Sequence, residues 1–130
     1  MQLNIHSELI PFLQELPALS ASGGKEFLHK MSESMDYDWD EFSKPDLLDN
    51  FSKQEKIVLQ DVSNIKKQLT ISDPQAWIGV LNRARMNLFA QSKLTEEQFE
   101  TLDFPPSQSL PMFKMKIYTG LLSELVDLHL

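Results

Sequence analysis

The chain has no cysteine, only four glycines and no long apolar run among its 130 residues. The missing thiols remove disulfides, thiolate zinc sites and cysteine nucleophiles together. Gly23-Gly24, Gly79 and Gly120 are too few and too scattered to form a glycine-rich phosphate loop. No window approaches the roughly 18 uninterrupted apolar residues of a membrane span. The N-terminal stretch also lacks the basic start, apolar run and small-residue cleavage site of a signal peptide. Histidine is sparse: His6, His29 and His129 are spread over the whole chain, and Glu26 lies three before His29, a pair common by chance. That is no zinc or di-iron motif, so neither a metal nor a cofactor is expected. Basic residues are the minority, 12 against 19 acids for a net charge of -7, which argues against generic nucleic-acid binding.

What is present suits a single globular domain spanning residues 1–130. Hydrophobic residues make up 42% and charged residues 24%, enough for one core. Charge is uneven along the chain. Residues 1–50 carry a balance of -7, residues 51–94 of +4 and residues 95–130 of -4. The expectation is that these regimes neutralise one another on folding. The basic residues of the middle segment (Lys53, Lys56, Lys66, Lys67, Arg83, Arg85 and Lys93) spread over two helices in no known DNA-reading frame.

The local signals are helical nearly throughout. Leu3 and Ile5 alternate with polar residues, which reads as a short strand or an extended arm. Ser7 is a candidate N-cap ahead of Leu9, Ile10, Leu13 and Leu16, and Pro17 should end or kink that helix. Gly23-Gly24 is expected to break the chain before a second helix bearing Phe27, Leu28 and Met31. Residues 33–45 read as a loop. A capping box, Ser52-x-x-Glu55, marks a third helix with Ile57, Val58, Val62, Ile65 and Leu69 on its apolar face and Lys66 and Lys67 in its last turn. Asp73 and Pro74 open a fourth helix, with Trp77, Leu81, Ala84 and Leu88 on one face. Thr95-x-x-Gln98 opens a short fifth helix that Phe104-Pro105-Pro106-Ser107 stops. Pro111 starts the last helix, whose stripe is Phe113, Ile117, Leu121, Leu125 and Leu128. The expected fold class is therefore all-α, a compact bundle of five to six helices. Internal packing of the last helix favours a monomer.

Two places invite chemistry. Asp36-Tyr37-Asp38-Trp39-Asp40 has the alternating oxygens that open a calcium loop. However, Glu41 stands where the turn needs glycine and Leu47 where a bidentate glutamate should close the shell, so a solvated acidic loop is preferred. In the fourth helix Asn82 and Arg85, three apart, share a flank beside the stripe that begins at Trp77. A guanidinium there needs partners, and Asp61, Glu124 and Asp127 are candidates for an interhelical clasp. The same pair would otherwise serve as an anion or peptide-carboxylate site. No serine sits in a nucleophile elbow, and no catalytic constellation is legible.

The string Trp77-x-x-x-Leu81-Asn82-x-x-Arg85, with the closing Tyr118-x-x-Leu121 helix, resembles the domain-of-unknown-function family numbered 2017. The resemblance covers about Ser43 to the C-terminus. Arg83 departs from it, standing where many relatives carry an acid. The resemblance implies an all-α bacterial cytoplasmic protein and no known reaction. By gene association alone, it implies a setting near Clp-type proteolysis. The functional expectation is a non-enzymatic interaction or adaptor module, whose six methionines would supply adaptable surface. The alternative is a small-ligand protein or enzyme with an anion site at Asn82 and Arg85.

Overall fold

Helix α4 (Pro74–Ser92) is the axis around which the other elements pack. The computed structural model describes residues 1–34 and 43–129. Before α4 come strand β1 (Gln2–Asn4), a 3-10 turn (Ser7–Leu9), α1 (Ile10–Gln14), α2 (Leu16–Ser34), α3 (Lys44–Ser63) and strand β2 (Gln68–Thr70). After it come α5 (Glu96–Thr101), a second 3-10 turn (Pro106–Gln108) and α6 (Ser109–His129). α2, α3 and α6 each pack on α4, so the fold is all-α with one small two-stranded sheet. No described helix is long and apolar enough to cross a membrane.

Several boundaries follow the local chemistry read above. Asp73 caps α4 by accepting from the backbone N–H groups of Gln75 (3.1 Å) and Ala76 (3.3 Å), with Pro74 in the first turn. Thr95 and Gln98 form the reciprocal box of α5. The chain kinks at Glu15, between α1 and α2, which places Pro17 in the first turn of α2, where its missing N–H costs nothing. Leu3 and Ile5 do form an extended element, since β1 pairs antiparallel with β2 in the register Leu3↔Leu69.

Other boundaries differ from expectation. α3 starts at Lys44, with Pro45 in its first turn, so Ser52 lies inside the helix and the Ser52/Glu55 box caps nothing. α3 also ends at Ser63, before Lys66 and Lys67, which lie in the connection to β2. Leu69 is a buried strand residue, and its alternation with buried Ile71 was a strand signal that the helical reading of α3 absorbed. Gly23-Gly24 does not break the chain but sits inside α2, where a Cβ on Gly23 would collide with the Arg83 carbonyl of α4. The glycine is there for close helix approach. The acidic loop Asp36–Asp40 and Met35 lie outside the described residues, as does the side chain of His129.

The core is formed by Trp77, Val80, Leu81, Ala84 and Leu88 of α4 with Leu13, Leu16, Val58, Val62, Leu69, Met112, Met115, Tyr118 and Leu125. Four of the last group come from α6, and of them only Leu125 belongs to the stripe expected there. Of that stripe only Leu125 is buried; Ile117 and Leu121 are partly buried, and Phe113 and Leu128 are 49% and 63% exposed. Tyr118 fastens α6 across the fold, its hydroxyl donating to the Phe12 carbonyl at 2.6 Å. Lys114 supports the same junction through an ion pair to Glu15 at 2.8 Å.

Burial, and then the Glu15 charge, raise the Tyr118 phenol above its ordinary pKa. In the folded state the proton is held. Once the pH exceeds about 10 the unfolded chain ionises its phenol and gains free energy that the folded chain does not. Stability from this group is therefore complete below about pH 10 and is lost as pH rises above it. Thermal melts between neutral and strongly alkaline pH should show a midpoint that drops beyond that point. Tyr118→Phe should drop less over the same interval, after an initial cost of about 1 kcal/mol for the lost hydrogen bond.

Candidate functional site

The arginine buried between helices is Arg83, not Arg85. Arg83 is 7% exposed. Its Nε donates to Ser20 Oγ of α2 at 3.1 Å, and its Nη2 donates to Gln54 Oε1 of α3 at 2.8 Å. The Ser20 hydroxyl passes the chain of bonds on, donating to Glu55 Oε2 at 2.8 Å. The Phe51 ring lies beneath the guanidinium, its centroid 4.0 Å from the guanidinium carbon. Burial depresses the Arg83 pKa and the Glu55 charge partly restores it. Asn87, one turn on, donates to the Leu19 carbonyl at 3.1 Å and adds a second tie between α4 and α2. Three of the four glycines, Gly23, Gly24 and Gly79, surround this clamp, where any Cβ would press on Arg83, Phe51 or Gln54. The clamp is a structural joint of α2, α3 and α4.

The residues singled out in the sequence are dispersed by the fold. Trp77 is fully buried, and its indole Nε1 donates to Asp61 Oδ2 at 2.7 Å. Asp61 also accepts from the backbone N–H of Ser72 (3.1 Å) and its hydroxyl (2.9 Å), so its oxygens are committed to holding the end of α3 against the β2–α4 connection. Asp61 is thus no partner of Arg85. Glu124 and Asp127 likewise make no ion pair with Arg85 among the described residues. Arg85 is half-buried, its Nε is sealed from solvent without a hydrogen-bond partner, and burial lowers its pKa. With exposed Asn82, Met86 and half-buried Phe89 it lines a shallow depression of about 280 Å³. His6 is exposed and caps the first 3-10 turn by accepting from the Glu8 N–H at 3.2 Å. His29 pairs with Glu33 at 3.3 Å, on the solvent side of α2, while Glu26 pairs with Lys30.

Expected charge neutralisation between segments is little in evidence. The ion pairs seen among the described residues include Glu26–Lys30 within the first segment and Glu15–Lys114 between the two acidic ends, and Asp49–Lys53 crosses from the acidic to the basic segment only within one turn of α3. Methionine gives no surface either. Among the described residues Met112 and Met115 are core and Met31 is half-buried, while Met1 and Met86 are exposed at separate places in the chain.

What sequence reasoning missed is that α6 is apolar on two opposite sides. Met112, Met115, Tyr118 and Leu125 face the core. Leu110, Phe113, Ile117, Leu121 and Leu128 recur at the spacings of a second helical face, and Leu110, Phe113 and Leu128 are exposed. Where this face meets β1 a groove of about 320 Å³ opens, walled by Leu3, Ile5, Leu9, Ile117 and Leu121. Gly120 belongs to the groove wall and, unlike the other three glycines, a Cβ there would meet nothing within 4 Å. Glu124 stands at the groove without an ion-pair partner among the described residues. Lys116 is turned aside, its Nζ 4.0 Å above the Phe99 ring. The signal was available in the sequence, since α6 has apolar residues at too many phases for one stripe. On the far side of the sheet lies a polar depression of about 460 Å³ lined by Gln60, Asn64, Gln68, Thr70, Ser72 and the committed Asp61.

Comparison of the chain with protein-family models, with curated proteins and with solved structures returns no match.

Chemical denaturation separates the two arginines. Arg83→Ala removes the centre of a buried polar network and should cost about 3 kcal/mol or more. Arg85→Ala removes a group whose Nε has no hydrogen-bond partner among the described residues and should cost less than about 1 kcal/mol. Equal losses in urea melts would contradict this assignment.

Proposed function

We propose that the protein is a non-enzymatic interaction module that holds a segment of a partner protein in the groove between β1 and α6. One observation carries this reading: the second apolar face of α6, with Phe113 49% and Leu128 63% exposed, continues into a concave apolar groove with an open glycine in its wall. An apolar helix face that the fold covers only in part, as here by Phe12 and the core beneath Ile117 and Leu121, costs solubility and is commonly kept where something docks on it. The resemblance drawn from the Trp77–Arg85 string supports a bacterial cytoplasmic setting and, by association, an adaptor or regulator role near Clp-type proteolysis.

Gly120→Leu provides the test. Glycine within a helix is destabilising relative to other residues by about 0.5–1 kcal/mol, and the added side chain has free space, so this variant should melt no lower than the parent. A displayed library of random peptides selected on the full-length chain should yield binders that Gly120→Leu weakens at least about tenfold. No binder above an unrelated control protein, or binders indifferent to Gly120→Leu, would overturn the reading.

A second reading has its own observation, the orphaned Arg85 Nε beside the Asn82–Phe89 depression. It is an anion site, with the guanidinium as its charge and the Asn82 amide as a further donor. Phosphate or acetate at millimolar concentration should then raise the melting temperature of the parent and not of Arg85→Ala. An equal response in both would remove this reading.

A further inference from the structure

The groove runs along the edge of a strand, not across the face of the sheet. Leu3 and Asn4 of β1 and Ile5, the residue that follows the strand, line it, and no residue of β2 does. The phase of the β1–β2 ladder says which backbone groups are spent. The Ile5 N–H donates to the Lys67 carbonyl at 3.0 Å and the Ile71 N–H donates to the Met1 carbonyl at 2.8 Å. Because strand residues alternate, Met1, Leu3 and Ile5 turn their backbone groups toward β2, while Gln2 and Asn4 turn theirs away. No hydrogen bond among the described residues takes up the outward N–H and C=O groups of Gln2 and Asn4. This is an unpaired edge beside an apolar trough, the arrangement that accepts an added strand.

The two edges of the sheet are not equivalent. β2 is approached through Lys66 and Lys67, and the depression beside it is lined by amides and hydroxyls, features that discourage strand addition. β1 carries no charged side chain, and its neighbour is the apolar flank of α6.

Resting on the interaction reading above, we propose that the occupant is an extended peptide segment of a partner protein, which adds to the free edge of β1 as a third strand. Its backbone pairs with Gln2 and Asn4. Every second side chain is apolar and drops between Leu3, Ile5, Ile117 and Leu121, over the space left by Gly120. From Lys116 to Glu124 is two turns of helix, about 12 Å, which about four extended residues span. A lysine or arginine at one end of that segment meets Glu124, the unpartnered acid of the groove, whereas Lys116 is held on Phe99.

Peptides selected on the chain and dependent on an open Gly120 test the conformation directly. Their apolar residues should recur at every second position. Methylating alternate backbone nitrogens of such a peptide should weaken binding at least about tenfold, with the interleaved nitrogens tolerant. On the protein side, Asn4→Pro deletes an outward N–H without touching the β1–β2 ladder, because proline is admitted at a strand edge whose N–H faces solvent. It should abolish binding, while Asn4→Ala, which keeps the N–H and loses the same side-chain bond from Gln68, should melt alike and bind at least about tenfold more tightly than Asn4→Pro. Glu124→Lys should weaken peptides ending in lysine and favour the same peptides with glutamate there. Groove-dependent peptides with apolar spacing of three and four, indifferent to N-methylation, would overturn the added strand while sparing the interaction module. So would a concentration-dependent dimer, seen by sedimentation, that Gly120→Leu abolishes and Asn4→Pro does not. Selection of no peptide at all would remove both.

Discussion

A guanidinium buried among three helices obliges each of them to bring something to it. α2 gives Ser20, α3 gives Gln54, Glu55 and the face of Phe51, and α4 carries Arg83 itself. Leaving such a charge unpaired out of water is expensive, so any packing that misplaces one helix loses hydrogen bonds on the other two. The apolar core alone tolerates sliding, because leucine and valine contacts have no direction. The clamp has direction, and the glycines at 23, 24 and 79 let the backbones and the guanidinium close to the distances it requires. The position of α4, and with it the support for β2 and α6, follows from this joint.

Local chemistry was legible where one residue type has one cheap solution. Asp73-Pro74 can scarcely be anything but a helix start, and Thr95 with Gln98 satisfies two orphan N–H groups in one reciprocal step. Where two solutions share a signature, the reading went astray. Ser52 and Glu55 match a capping box, but Pro45 and Asp46 open the helix two turns earlier, and mid-helix the same pair is only polar surface and a clamp residue. Gly23-Gly24 looks like a break to anyone counting backbone entropy and is a contact point once α4 lies across it. Periodicity points to Arg85 and away from Arg83 only if α4 has a single buried face. α4 is buried on most of its circumference, with Arg83 and Asn87 on the side that faces α2.

The same error, reading one stripe per helix, hid the surface that carries the functional reading. α6 spends Met112, Met115, Tyr118 and Leu125 on the core and still has leucine, isoleucine and phenylalanine on the opposite flank. Two-sided helices belong either inside a larger protein or against a partner. The N-terminal segment covers part of that flank, with Phe12 set edge-on to Phe113 at 5.5 Å between ring centres, and leaves the remainder as a trough.

The β1–β2 pairing has a kinetic consequence. Helical bundles fold fast because their contacts are mostly between residues close in sequence. Here Leu3 must find Leu69, and the Tyr118 hydroxyl must find the Phe12 carbonyl. Each closure sets aside the freedom of a long intervening loop before any contact repays it. The first fifteen or so residues are thus tied down by partners that leave the ribosome much later. During synthesis the apolar residues of β1 and α1 wait uncovered until β2 and α6 have emerged. A chain this helical should therefore fold with the pace of a mixed α/β domain, its N-terminal arm the last element to find its place.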